Sequence, residues 1–289
     1  MRTTTSRLMI LLAITGLVLV NCSKKSNDSA ATQRYITVKG SDTMVHLASN
    51  WAEAFMAKYP EYEISVTGGG SGTGIAALIN GTTDVCISSR NIKSKEITLA
   101  KEKNQNPVEF PVARDGIAVI LNSDNPVNEL TIEQIGKIYT GVYTNWNQVG
   151  GPDAGIIVNS RESSSGTYVF FQEHVLNKKD YAASANLMPS TAAIVQSVSQ
   201  DKQAIGYVGL GYVQGAGNAI KVLGVKTDNN SPAVLASEAA IVSGAYPISR
   251  DLYIYTNGVP QGLTKNFLDF TLTPEGQRIV SETGYVPVK

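Results

Sequence analysis

From residue 35 onward, short apolar runs with strand periodicity alternate with apolar stripes at helical spacing, and polar, often glycine-rich loops separate them. Residues 35–38 read as a first strand that ends in Gly40-Ser41-Asp42-Thr43. Val45, Ala48, Ala52, Phe55, Met56 and Tyr59 then keep helical spacing until Pro60 closes the helix. Residues 63–66 resume strand alternation, the loop Gly68-Gly69-Gly70-Ser71-Gly72-Thr73-Gly74 follows, and an apolar run at 75–79 stops at Gly81. Each loop thus lies where a strand ends and a helix begins, which is how a parallel α/β sheet presents a ligand site. Residues 84–87 form another strand candidate leading to Ser88-Ser89-Arg90, and Arg114-Asp115-Gly116 opens the apolar run 117–121.

The second half repeats the pattern. Thr131 and Gln134 form a capping box, Leu130 and Ile135 can staple across it, and the helix is expected to run to about Thr140. A strand at 156–158 leads into Arg161-Glu162-Ser163-Ser164-Ser165-Gly166-Thr167, which enters the apolar residues 168–171. This stretch sets a guanidinium, several hydroxyls and a glycine at a helix start, where unpaired N–H groups and the dipole favour an anion. The same residues also make an ordinary N-cap. Ser190 can cap a further helix, strands are expected at 204–208, 221–225 and 252–255, and helices at 264–270 and from Thr273-Pro274, with proline in the first turn.

The glycine loop at 68–74 fails the competing motifs. No lysine follows it, as a nucleotide-phosphate loop requires, and Thr73 breaks the Gly-x-Ser-x-Gly elbow of a hydrolase. Only the looser dinucleotide fingerprint ending in Ala77 is met, without the acidic residue expected about twenty positions on. The loop is left as a close backbone approach to an anion or as a flexible turn.

With 289 residues, 43% of them hydrophobic, the chain is long enough for two domains with their own cores. Its formal net charge is zero and no basic run is interleaved with aromatics, so nucleic acid is not an expected partner. Arg2 and Arg7 precede an apolar run at 8–20 that is short for a membrane span and suits a signal peptide, with an uncleaved anchor as the alternative. The sequence Leu19-Val20-Asn21-Cys22 and the polar residues after it resemble a bacterial lipoprotein signal, although Asn21 stands where a small residue is usual. That resemblance implies lipidation at Cys22. Cys86 is then the remaining cysteine, so a disulfide is not expected, and two cysteines and two histidines offer no metal-ligand spacing. A serine hydrolase using Ser71 or Ser165 with His46 or His174 is the alternative from another class, and both histidines sit within helical patterns.

Taken in order, Gly40-Ser41-Asp42-Thr43-Met44, the 68–74 loop, Ser88-Ser89-Arg90, Arg114-Asp115-Gly116, Asn145-Trp146, the 161–167 stretch, Ile205-Gly206-Tyr207 and Tyr246-Pro247 resemble the phosphate-binding proteins that serve ABC importers. The resemblance implies an α/β two-domain clamshell, each domain a mixed, mainly parallel sheet flanked by helices, with the anion in the cleft. It places a signal peptide at 1–21, a lipid-anchored linker at 22–33, one domain at 34–112 and 246–289, and the second at 113–245. By similarity the phosphate site comprises Ser41, Thr43, the Met44 backbone, Ser71, Ser89, Arg90, Asp115, Arg161, Ser165, Gly166 and Thr167. Asp115, with Asp42 second, is the carboxylate expected to accept the proton of the bound phosphate, and Arg161 is expected to supply the positive charge. The implied protein is an exported, lipid-anchored monomer without cofactor or catalysis, whose partners are inorganic phosphate and an ABC permease. A receptor for sulfate or molybdate is the alternative within the same class.

Overall fold

The computed structural model describes residues 33–288. The expected signal peptide, Cys22 and nearly all of the linker lie outside the described residues. The first strand, β1 (Tyr35–Gly40), leads through a 3-10 turn at Asp42–Met44 to α1 (Val45–Lys58). Then come β2 (Glu63–Thr67), α2 (Ser71–Ile79), β3 (Val85–Ser88), α3 (Ser94–Glu102) and the long β4 (Pro107–Asn122). The middle of the chain contributes β5 (Glu129–Thr131), α4 (Ile132–Tyr139), β6 (Ile157–Arg161), α5 (Gly166–His174), β7 (Asn186–Met188), α6 (Thr191–Gln200) and β8 (Ala204–Gly209). It closes with β9 (Ile220–Val222), β10 (Gly224–Lys226), α7 (Glu238–Val242), β11 (Ser249–Asn257), α8 (Gly262–Thr271) and α9 (Pro274–Glu282).

One sheet path, β2-β1-β3-β11-β4-β8-β6-β7, runs through the whole described chain. β1 pairs parallel with β2 and β3, whereas β11 is antiparallel to both β3 and β4. The first part of β4 pairs with β11, as far as Gly116 against Ser249, and from Ile117 onward it pairs with β8 and β9. β4 therefore belongs to two apolar cores in turn. One core gathers Leu47, Trp51, Phe55, Val112, Ile254 and Phe267, and the other gathers Ile117, Ile135, Trp146, Phe171, Tyr207 and Ile248. The result is the expected α/β fold, whose mixed sheet continues from one lobe to the other through β4 and β11.

Local chemistry accounts for many boundaries. The Thr131–Gln134 capping box is present, with Gln134 N–H donating to Thr131 Oγ1 at 3.1 Å and Thr131 N–H to Gln134 Oε1 at 2.9 Å. Thr273 caps α9 ahead of Pro274. The two tryptophans are fully buried, one in each core, and their indole N–H groups donate to backbone carbonyls, Trp51 to Gly276 at 2.8 Å and Trp146 to Gln203 at 3.0 Å. Two expectations are corrected. The run 221–225 is not one strand, because the Leu223 N–H turns to Val119 O and the flanking residues pair with different strands, β9 with β4 and β10 with β5. The glycine loop ends earlier than its composition suggests, because α2 begins at Ser71 itself. Gly74 is thus a helical residue, and a side chain there would collide with the backbone of Lys39 and Gly40, so the glycine lets α2 lie against β1.

Candidate functional site

Three helix starts meet between the lobes. At the end of β1, Gly40 has φ of 147°, and a Cβ there would run into the Ile87 carbonyl of β3, so only glycine lets the chain turn this close to its neighbour. The turn places Ser41, Thr43 and Ser71 in buried positions beside Ser89 at the end of β3. Ser41 Oγ donates to Ser89 Oγ at 2.9 Å, Ser71 Oγ lies 3.2 Å from Ser89 Oγ, and the Ser89 N–H donates to Ser71 Oγ at 3.0 Å. From the other lobe, Ser165 caps α5 by accepting from the N–H groups of Thr167 and Tyr168. A Cβ on Gly166 would collide with Ser71 Oγ and Ser89 Oγ, and Thr167 Oγ1 lies 2.8 Å from Thr43 Oγ1. Ser41, Thr43, Ser71, Ser89, Ser165, Gly166 and Thr167 are therefore brought to one place. Helix starts at 42–45, 71 and 166 all face it, so backbone N–H groups and three dipole ends add to the hydroxyls.

The charges are arranged differently from the expectation. Asp115 is fully buried in this cluster, and its partner is Arg250 on β11, a residue that sequence reasoning passed over. Arg250 Nη2 and Nε donate to Asp115 Oδ2 at 2.8 and 3.2 Å, Nη2 also reaches Thr167 Oγ1 at 3.0 Å, and Nη1 donates to Ser89 O at 2.8 Å. Its guanidinium lies over the Phe170 ring at 5.5 Å. The Leu210 N–H donates to Asp115 Oδ1 at 2.9 Å. Burial raises the Asp115 carboxyl above the ordinary aspartate range, while Arg250 and the Leu210 N–H pull the other way. The signal for Arg250 was available in principle: a carboxylate expected to face an anion in a cleft needs a counter-charge, and this arginine opens the strand that follows Tyr246-Pro247.

Arg161 is also buried, and four hydrogen bonds tie it to Asp42 and to its own lobe. Nη1 reaches Asp42 Oδ2 at 3.0 Å and Thr191 Oγ1 at 2.7 Å, Nη2 reaches Pro189 O at 3.1 Å, and Nε reaches Met188 O at 3.3 Å. Asp42 thus serves Arg161 and the start of α6, while Asp115 is the carboxylate among the hydroxyls. Two expected residues lie outside the cluster. Arg90 forms a two-pronged ion pair with Glu96 at 2.7 and 2.9 Å, because Glu96 opens α3 six residues on and offers a nearer carboxylate. Burial opposes ionisation of Glu96, but the Arg90 and Lys93 hydrogen bonds prevail and hold it below the ordinary range. The Met44 N–H donates to Ser41 O at 3.0 Å, closing the turn, and its side chain is packed into the first core.

Chemically, the cluster offers hydroxyl and N–H donors, one guanidinium and one carboxylate, a set suited to a small oxyanion carrying a proton. The histidines are engaged elsewhere. His46 is exposed and stands edge-on to Tyr212, and His174, at the far end of α5, stacks on Phe170 with Nδ1 2.9 Å from Phe170 O. Among the described residues no group of His, Cys, Asp or Glu could hold a metal ion, and no helix is long and apolar enough to cross a membrane. Cys86 is buried against α2, and burial raises its thiol far above the usual range.

Comparison with known proteins agrees with this geometry. The model of the PBP superfamily domain matches residues 25–275. The phosphate-binding protein PstS of Pseudomonas aeruginosa is 33% identical over 266 residues, covering 86% of this chain and 81% of that one. PstS of Staphylococcus epidermidis is 34% identical over 254 residues, covering 86% of this chain and 77% of its own. Among solved structures, a phosphate ABC transporter substrate-binding protein with bound phosphate from Clostridium perfringens superposes with a TM-score of 0.79 at 32% identity, covering 88% of this chain and all of that one. Three buried helix starts, a hydroxyl cluster shared by two lobes and a family match across the described sheet lead to one assignment: the chain belongs to the PBP superfamily and, within it, to the phosphate-binding PstS proteins.

Proposed function

We propose that this chain binds inorganic phosphate outside the cytoplasmic membrane and delivers it to the permease of an ABC importer, without chemical turnover. The observation that carries the reading is the meeting of Thr43 and Ser71 from one lobe with Gly166 and Thr167 from the other around the Asp115–Arg250 pair. Hydroxyls and helix-start N–H groups receive the phosphate oxygens, and the Arg250 guanidinium balances their charge. Asp115 accepts the proton of the bound phosphate. Sulfate at neutral pH has no such proton and would set an oxygen against a buried carboxylate, a mismatch of several kcal/mol by roughly the cost of an unpaired buried polar group. Cys22 carries the lipid that keeps the receptor at the membrane, and the polar residues after it serve as the tether.

Isothermal titration of a phosphate-stripped preparation tests the reading. Saturable heat with phosphate, undisturbed by a large excess of sulfate or molybdate, is the expected result. Absence of heat with phosphate overturns it, and equal competition by sulfate transfers the assignment to the wider oxyanion class. Metabolic labelling with a radioactive fatty acid checks the anchor, with label expected on the wild type and none on Cys22→Ser.

A further inference from the structure

Asp42 reaches from the first lobe into the second at the cleft, and its partners are concentrated on one oxygen. A single oxygen, Oδ2, accepts from Arg161 Nη1 at 3.0 Å, from the Thr191 N–H at 2.8 Å and from Thr191 Oγ1 at 2.8 Å. Thr191 opens α6, so the carboxylate also sits at the positive end of that helix dipole. Its own backbone carbonyl accepts from Tyr212 OH at 2.9 Å, a second tie to the same lobe. Arg161 is held on its other sides by Pro189 O and Met188 O, both in the second lobe, so its guanidinium is presented to Asp42 by a rigid frame. None of these donors comes from the first lobe. Every bond Asp42 Oδ2 makes therefore forms only when the lobes meet.

We infer that Asp42 is the positioning residue that latches the two lobes together, and that it acts on the ligand's residence time rather than on its identity. Asp42 follows Ser41 and precedes Thr43, both of which belong to the hydroxyl cluster, so the latch pulls that turn against Thr167. Selectivity is left to Asp115, which lies inside the cluster. The affinity part rests on the phosphate reading above, whereas the closure part does not.

The test is Asp42→Asn in the mature protein, with a side chain of the same size that offers a neutral oxygen in place of the carboxylate. Stopped-flow measurements with phosphate should show dissociation faster by about tenfold to a hundredfold, the range of a charge-assisted hydrogen-bond set, with the association rate nearly unchanged and sulfate still excluded. Small-angle X-ray scattering without ligand should show a larger radius of gyration for the variant than for the wild type. Thr191→Val, which removes only the hydroxyl donor, should move both readings in the same direction by less. An unchanged dissociation rate or an unchanged radius of gyration overturns the latch. Sulfate binding by Asp42→Asn overturns it too, and makes Asp42 the acceptor that sets selectivity. Absence of phosphate binding by the wild type overturns the functional reading instead, and the scattering comparison still decides the latch.

Discussion

Two of the carboxylate–arginine pairs near the cleft are built on opposite plans. Asp115 and Arg250 face each other across neighbouring strands, in register on β4 and β11, and the side chains are 0% and 2% exposed. Strand pairing itself brings them together, so the pair exists whenever the sheet does. Asp42 and Arg161 come from the ends of β1 and β6, which are not neighbours in the sheet, and Asp42 remains 19% exposed. Their meeting depends on how the lobes sit. The difference teaches that one binding site can divide its labour: a pair fixed by the fold sets the chemistry, and a pair made by lobe contact sets the timing.

The strongest way to break this contrast is to remove Arg250. Arg250→Ala leaves Asp115 buried without its partner and should cost about 3–5 kcal/mol of stability in urea denaturation, with phosphate binding abolished. Replacing both, as Asp115→Asn with Arg250→Gln, should cost less than the sum of the single changes, and strict additivity would refute the coupling. Next in size is Gly166→Ala. The new methyl stands where Ser71 and Ser89 of the opposite lobe pack, so affinity should fall about tenfold to a hundredfold, the worth of a 1–3 kcal/mol overpacking penalty. The melting temperature without ligand should fall by less than the affinity does, because the lobes can part to relieve the collision.

Titration sharpens the contrast further. Because burial raises Asp115, it takes up a proton at a higher pH than an ordinary aspartate as the solution is acidified. A protonated Asp115 can donate to sulfate, so the preference for phosphate should narrow as pH falls toward that raised value and be fully present above it. Competition titrations across a pH series check this, and a preference that widens on acidification would count against Asp115. The smallest effect belongs to Glu96, whose pairing with Arg90 lies outside the site. Its folded value is lowered, so its contribution is present above the ordinary glutamate range and is lost as pH falls through the lowered value. Glu96→Gln should remove about 1–2 kcal/mol at neutral pH and less in acid, leaving phosphate affinity untouched.

The legible parts of this molecule were those written locally. Thr131 with Gln134, Thr273 with Pro274, and Ser165 ahead of Gly166 each announce a helix start within four residues, whereas the grouping of the cleft hydroxyls came from the family resemblance. What stayed hidden depends on distance along the chain. Arg250 meets Asp115 across 135 residues, and nothing adjacent to it marks the pairing. Arg90 was drawn into the expected site by its place beside Ser89, and only the position of α3 shows that Glu96 claims it. The helix at Ser94–Glu102 escaped because it buries only Ala100 and so carries no apolar stripe. The break at Leu223 was invisible for a similar reason, since the choice of strand partner leaves no trace in an apolar run.

The placement of the two tryptophans has an optical consequence. Trp51 and Trp146 are fully buried in apolar cores with their indole N–H groups fixed on carbonyls, so their emission should be blue-shifted and resistant to added quencher. Neither ring reaches the cleft hydroxyls, and ligand-dependent changes in intrinsic fluorescence should be small even when binding is tight. A reporter of closure belongs instead at the rim, where Lys93 of one lobe lies 3.6 Å from Glu173 of the other, and a dye pair there would turn lobe separation into a measurable colour ratio.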